Sequence, residues 1–133
     1  LLNVVRFEAR RAVAPLGQEQ QTPAVTIGDL VRATLRHRPD RVILGEVRGG
    51  EAFDLLQALN TGHRGSLSTI HANSATQALI RLAHCVLAAN SGLPLEAIRP
   101  AVASAIDLVA HVERRGGRRS VVEVQSTDDS DRP

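Results

Sequence analysis

An unbroken apolar run, Val42-Ile43-Leu44, is the feature that most limits how this chain can fold. It is too short for a helix. Polar residues precede it, and Gly45 and Glu46 follow. Such a run reads as a strand buried on both faces. Glu46 then stands where the strand leaves the sheet. In open parallel sheets, ligands bind at the carboxyl ends of strands. A carboxylate there can hold a magnesium-bound water or polarise an attacking one. On these residues alone, a plain structural turn after a short strand reads equally well.

The flanking chain alternates between strand and helix patterns. Asn3 to Arg10 places Val5, Phe7 and Ala9 on one face, with Val4, Arg6, Glu8 and Arg10 largely on the other. That pattern predicts a half-exposed strand. Ala12 to Pro23 has no period and reads as a loop. Thr26-Ile-Gly-Asp29 predicts a capping box, with Asp in place of Glu and with Val25 and Leu30 as a hydrophobic staple. Ile27, Leu30, Val31, Thr34 and Leu35 follow at helical spacing, and Pro39 marks the end. Ala52 to Leu59 carries a second stripe, closed by Gly62. Ser66 to His71 predicts a second short strand. Ser74, with Gln77 three residues on, caps the clearest helix, striped by Ala75, Ala78, Leu79, Leu82, Ala83, Val86 and Leu87. Pro94 starts another helix, and Pro100 inside it predicts a kink or a split. Asp107 to Glu113 and Ser120 to Gln125 predict a hairpin around Arg114 to Arg118. Ser126 to Pro133 is polar and reads as a disordered tail. The sum is an α/β chain: short parallel strands wrapped by helices, ending in a hairpin, within one domain over residues 1–125.

Composition narrows the chemistry. At 133 residues the chain can bury a real core. Its aromatics are two Phe, so that core is built from Leu, Val, Ile and Ala. No apolar stretch approaches the roughly 18 residues of a membrane span. A single Cys85 excludes an internal disulfide. The net charge of +2 does not indicate binding to nucleic acid. All sixteen basic side chains are Arg. A phosphate-binding P-loop requires Gly-Lys-Ser/Thr, and a chain without Lys contains none. With Leu1 at its start, the chain reads as a piece of a longer protein.

Beyond Glu46, four groups can carry chemistry. Arg48 and Glu51 follow it closely. His71 ends the second strand as Glu46 ends the first. Adjacent parallel strands would place the two at one sheet edge, where a His can hydrogen-bond a terminal phosphate. The alternative is a His that caps the Asn73-Ser74 turn. His63 lies in a helix-ending turn. Arg6 and Arg10 can neutralise phosphate charge through their planar forks, or form a solvated face paired with Glu8. Arg114, Arg115, Arg118 and Arg119 read as an exposed hairpin tip. A zinc site from His63, His71, His84 and Cys85 matches no familiar ligand spacing. Cys85 reads as packing.

Three stretches together resemble the type II/type IV secretion ATPases: Arg38 to Ala52, Gln57 to His63, and Ser68 to Ser74. The likeness is greatest to the conjugal-transfer (TrbB) and pilus-assembly (CpaF) branches, and it runs from about Val4 to Gln125. It implies the carboxyl-terminal part of a RecA-like ATPase domain in a ring-shaped homo-hexamer. Such motors work at the cytoplasmic face of the bacterial inner membrane, with ATP and Mg2+, alongside secretion or pilus-assembly proteins. Arg41 to Glu46 is similar to the family's Walker B strand, with Glu46 acidic and acting on magnesium indirectly. Thr61 to Asn73 is similar to the His box, with His71 contacting phosphate and His63 supporting it. Arg6 to Arg10 is similar to the segment after the Asp box, and Arg48 follows the Walker B acid. Either Glu46 or an upstream acid serves as general base in this scheme.

The chain departs from the family pattern in lacking the Walker A loop and the acidic centre of the Asp box. The expectation is a parent that hydrolyses ATP and a piece that does not do so alone. The rival from another class is a noncatalytic half-domain that only packs into a ring.

Overall fold

The computed structural model describes residues 3–12, 22–89 and 91–127. Its order is α1 (Ile27–Leu35), β1 (Ile43–Leu44), α2 (Glu51–Asn60), β2 (Leu67–Ser68), α3 (Ala75–Ala88), α4 (Leu95–Ala105), β3 (Leu108–Arg115) and β4 (Arg118–Ser126). The helices start where local chemistry says they should. The Thr26 hydroxyl accepts the Asp29 N–H at 3.1 Å, and the Asp29 carboxylate accepts the Thr26 N–H at 2.9 Å, the reciprocal box. Donation by the Thr26 hydroxyl and N–H holds the Asp29 carboxyl below the ordinary Asp range. Ser74 caps α3 by accepting the Gln77 N–H at 3.1 Å.

Three helices make the core. Ala52, Leu55 and Leu56 of α2 meet Leu82, Ala83, Cys85 and Val86 of α3, and Ile98 and Val102 of α4. Ile98, Val86 and Ala52 are fully enclosed. Helix α1 stands at the side of this core. Its Arg32 reaches Asp54 of α2 at 2.8 Å and Asp29 of its own first turn at 2.5 Å. A Cβ at Gly28 would lie 2.6 Å from the Asp54 carboxylate, so a small residue permits that approach. Exposed ion pairs add little stability; these set how α1 lies on α2.

Strands β1 and β2 pair in parallel, Ile43 with Leu67 and Leu44 with Ser68. Strands β3 and β4 form the antiparallel hairpin, turning through Gly116 and Gly117 at φ of 55° and 82°. Two consecutive residues at positive φ suit glycine and match the twist of a tight hairpin.

Several expectations need correction. Val42-Ile43-Leu44 is not buried on both faces: Val42 is buried, while Ile43 is 67% exposed. Among the described residues only β2 pairs with β1. Asn3 to Arg10 is not a strand. It makes one isolated bridge, Arg10 to Val25, because no partner strand lies along it among the described residues. The second strand spans two residues, not six. Helix α4 is not split at Pro100. Arg114, Arg115, Arg118 and Arg119 lie in the strands, so the turn is tighter than expected. The hairpin pairs one residue past Gln125, Ser126 facing Leu108, and the Thr127 N–H reaches the Asp107 carbonyl at 3.2 Å. Most of the loop expected at Ala12 to Pro23, and residues 128–133 of the expected tail, lie outside the described residues. No described helix is long and apolar enough to cross a membrane.

Shortening Ile98 leaves a cavity at the meeting of three helices. Ile98→Ala is expected to lower the unfolding free energy by about 2–5 kcal/mol, against a small change for Ile80→Ala on the half-exposed flank of α3. Urea melts of both variants check this.

Candidate functional site

The site begins with the parallel register of β1 and β2. The Leu67 N–H reaches the Val42 carbonyl at 3.0 Å, and the Val47 N–H reaches the Thr69 carbonyl at 2.8 Å. The Thr69 hydroxyl adds a bond to the Gly45 carbonyl at 2.7 Å. Both strands thus leave the sheet together, and the residues just beyond them meet. His71 Nε2 lies 3.1 Å from Glu46 Oε1. Arg48 closes on the other oxygen of the same carboxylate at 2.6 Å. The Glu46 side chain is only 22% exposed, whereas His71 is 83% exposed. The carboxylate is therefore sheltered and the imidazole open to a ligand.

Arg48, donating to it, holds the Glu46 carboxyl below the ordinary Glu range; His71 and Arg81 add smaller attractions. Arg48 is held in turn. The Glu51 carboxylate accepts the N–H groups of Arg48 at 2.6 Å and Gly49 at 3.0 Å, folding the turn that leads into α2. Glu51, singled out only as a neighbour of Glu46, is thus the residue that shapes this turn.

Beside His71 opens a cavity of about 490 Å³, lined by Asn73, Gln77, Ile80, Arg81 and His84. Arg81 was missed from sequence. Its signal was there to find: it lies on the polar side of α3, the helix that starts just after His71.

The other predicted residues are placed differently. His63 Nδ1 donates to the Ala58 carbonyl at 2.9 Å, which fixes the proton on that nitrogen. The Ser66 hydroxyl donates to the His63 carbonyl at 2.6 Å and accepts the Val42 N–H at 2.9 Å. His63 thus ties the end of α2 to the start of β1, and it is not among the groups that act on the Glu46 carboxyl. Arg6 is exposed. Arg10 donates to the Pro23 carbonyl at 3.4 Å. Neither is among the cations that act on Glu46. Cys85 is buried in the core, and burial pushes its thiol up. Among the described residues no three His, Cys, Asp or Glu converge to hold a metal.

This pairing of Glu46 and His71 across parallel strands sits inside a recognisable whole. The model of the family described as "Type II/IV secretion system protein" matches residues 5–131. The chain belongs to that family. A conjugal transfer protein, TrbB, of Rhizobium radiobacter is 46% identical over 75% of the chain and 30% of its own length. A putative conjugal transfer protein of Mycobacterium tuberculosis is 44% identical over 92% of the chain and 33% of its own length. The crystal structure of the VirB11 ATPase from the Brucella suis type IV secretion system, in complex with sulphate, superposes with a TM-score of 0.73. It is 39% identical and is matched over 77% of this chain and 32% of that one. The family chain thus spans about a third of the length of these relatives, and its α/β fold matches that of a type IV secretion ATPase.

Removing Arg48 frees the Glu46 carboxylate. Arg48→Ala is expected to raise the Glu46 pKa towards the ordinary value of 4.5. The sign follows from linkage. A depressed carboxyl stabilises the fold above its unfolded pKa, and that contribution disappears as pH falls through the lower folded value. The variant loses this acid sensitivity. Carboxyl titration by 13C NMR in both proteins checks the shift.

Proposed function

We propose that this chain is the carboxyl-terminal part of a RecA-like ATPase domain that forms a hexameric motor for type IV secretion or conjugal transfer. The observation that carries the reading is the 3.1 Å contact between Glu46 and His71 at the ends of two parallel strands. Parallel sheets bind ligands at that edge. Family membership and the relatives' printed roles support the same direction.

The chain supplies one wall of a nucleotide site. It contains no Lys and so no P-loop; the cradle for the phosphates comes from elsewhere in the parent. Glu46, as the Walker B acid, orients a water by accepting its hydrogen bond. Arg48 keeps this carboxylate ionised but makes it a weaker proton acceptor. That favours Glu46 as an anchor for water, with proton removal left to another acid. Magnesium, bound with ATP, would neutralise phosphate charge, with Glu46 reaching it through water. His71, as the His-box residue, is free to turn its imidazole from Glu46 towards a terminal phosphate. A bond made with ATP and lost with ADP is a differential contact, which any shift between states requires. Helix α3 starts just beyond His71 and is the element that would move. The motor would stand at the cytoplasmic face of the inner membrane beside other secretion proteins.

In the parent protein, Glu46→Gln is expected to abolish turnover and leave ATP affinity nearly unchanged. Steady-state hydrolysis and calorimetric titration read the two separately; wild-type turnover removes Glu46 from the mechanism. A noncatalytic parent, the reading that the missing Lys favours, predicts no hydrolysis in the wild type either.

His71→Ala is expected to slow hydrolysis and transport together, by roughly tenfold or more, the worth of one hydrogen bond to a charged group. His71→Asn separates phosphate sensing from turn capping, since Asn caps as well. Full activity in His71→Asn leaves capping as the only role.

A further inference from the structure

The His71 side chain is 83% exposed and its Nε2 meets Glu46 at 3.1 Å, so the backbone on either side must bring the ring within that reach. Its position is therefore decided by what anchors the chain on either side. One anchor is β2, tied to β1 by the Val47–Thr69 and Thr69–Gly45 bonds. The other is the first turn of α3, only a few residues on. That turn is secured from outside the helix. The Glu123 carboxylate of β4 accepts the Ala75 N–H at 2.9 Å, and the Thr76 hydroxyl donates to the Gln125 side-chain carbonyl at 3.1 Å. Ala75 is fully buried, so its N–H needs a protein partner, and the Glu123 carboxylate supplies it. The negative charge also sits at the positive end of the helix dipole.

The hairpin is well placed to act as this clamp. Among the named elements it packs against α3 alone. A register shift between His111 and Val112 lies beside Glu123, which pairs with His111. Such bulges re-aim side chains, and here Glu123 and Gln125 share the face turned to α3. The other face carries Leu108, Val112, Val121 and Val124, all exposed.

We propose that Glu123 is a positioning residue for His71, acting through the first turn of α3 to hold the imidazole against Glu46. Its meaning for turnover rests on the ATPase reading above; the contact itself does not. By reciprocity, a His71 drawn away from Glu46 loosens the grip of α3 on the hairpin.

The test uses this chain without nucleotide, so it stands or falls apart from hydrolysis. The His71 ring signals are followed by 1H–13C NMR at one pH, together with exchange of the Ala75 amide. In Glu123→Ala the Ala75 amide is expected to exchange about tenfold faster or more, as for one lost bond to a charged group. The His71 signals move in the direction that Glu46→Gln moves them. In the double variant, Glu123→Ala adds no further His71 shift to that of Glu46→Gln, the mark of coupled residues. Glu113→Ala, on the same hairpin but bonded to His111 and Arg115, leaves His71 unmoved. Glu123→Asp keeps the charge and withdraws the oxygens by one methylene, so it serves if Glu123→Ala does not fold. His71 signals at wild-type positions in either folded variant, or an equal shift in Glu113→Ala, overturn the proposal.

Discussion

The parallel register of β1 and β2 is the constraint on which the site depends. Few backbone bonds hold it, yet they decide that Glu46 and His71 leave the sheet side by side. A slip by one residue would turn each side chain to the opposite face. The side-chain bonds from Thr69 to the Gly45 carbonyl and from Ser66 to the Val42 N–H resist that slip at both ends of the pair. The helical core beneath contributes the other half of the constraint, since α2 is the next element after β1 and α3 the next after β2.

Charge then acts on a geometry already set. Glu46 sits between Arg48 and His71, with Arg81 further off. Pairs whose cationic partners are this open to water add little stability, so they are poor candidates for holding the fold together. Their effect is local. Arg48 sets the proton affinity of the carboxylate, and His71 remains free to exchange partners. The Glu51 carboxylate, closing the Arg48–Gly49 turn, is what keeps Arg48 in reach.

Helices were legible in the sequence because their signals are local. The Thr26/Asp29 box, the Ser74 cap and the stripes of α2 and α3 involve residues within a turn or two of one another. Strand burial was not legible, because it depends on neighbours far along the chain. Ile43 has the composition of an enclosed residue and is exposed. Val5 and Phe7 alternate as a strand should and find no ladder. The roles of His63 and Arg10 show the same limit: each donates to a backbone carbonyl, of Ala58 and of Pro23, that no motif announced.

By itself the sequence determined the α/β order from α1 onward, the helix starts, the family likeness, and Glu46 and His71 as residues at strand ends. These follow from period, capping and motif, which are short-range properties of the chain. Only the tertiary structure decided that the two ends touch, that Arg48 depresses the Glu46 carboxyl, and that Arg81 lines the adjoining cavity. It also decided that Glu123, 48 residues from Ala75, secures the start of α3. Each of these is a contact between distant segments, and the energy of such a contact depends on burial and direction that no local pattern encodes.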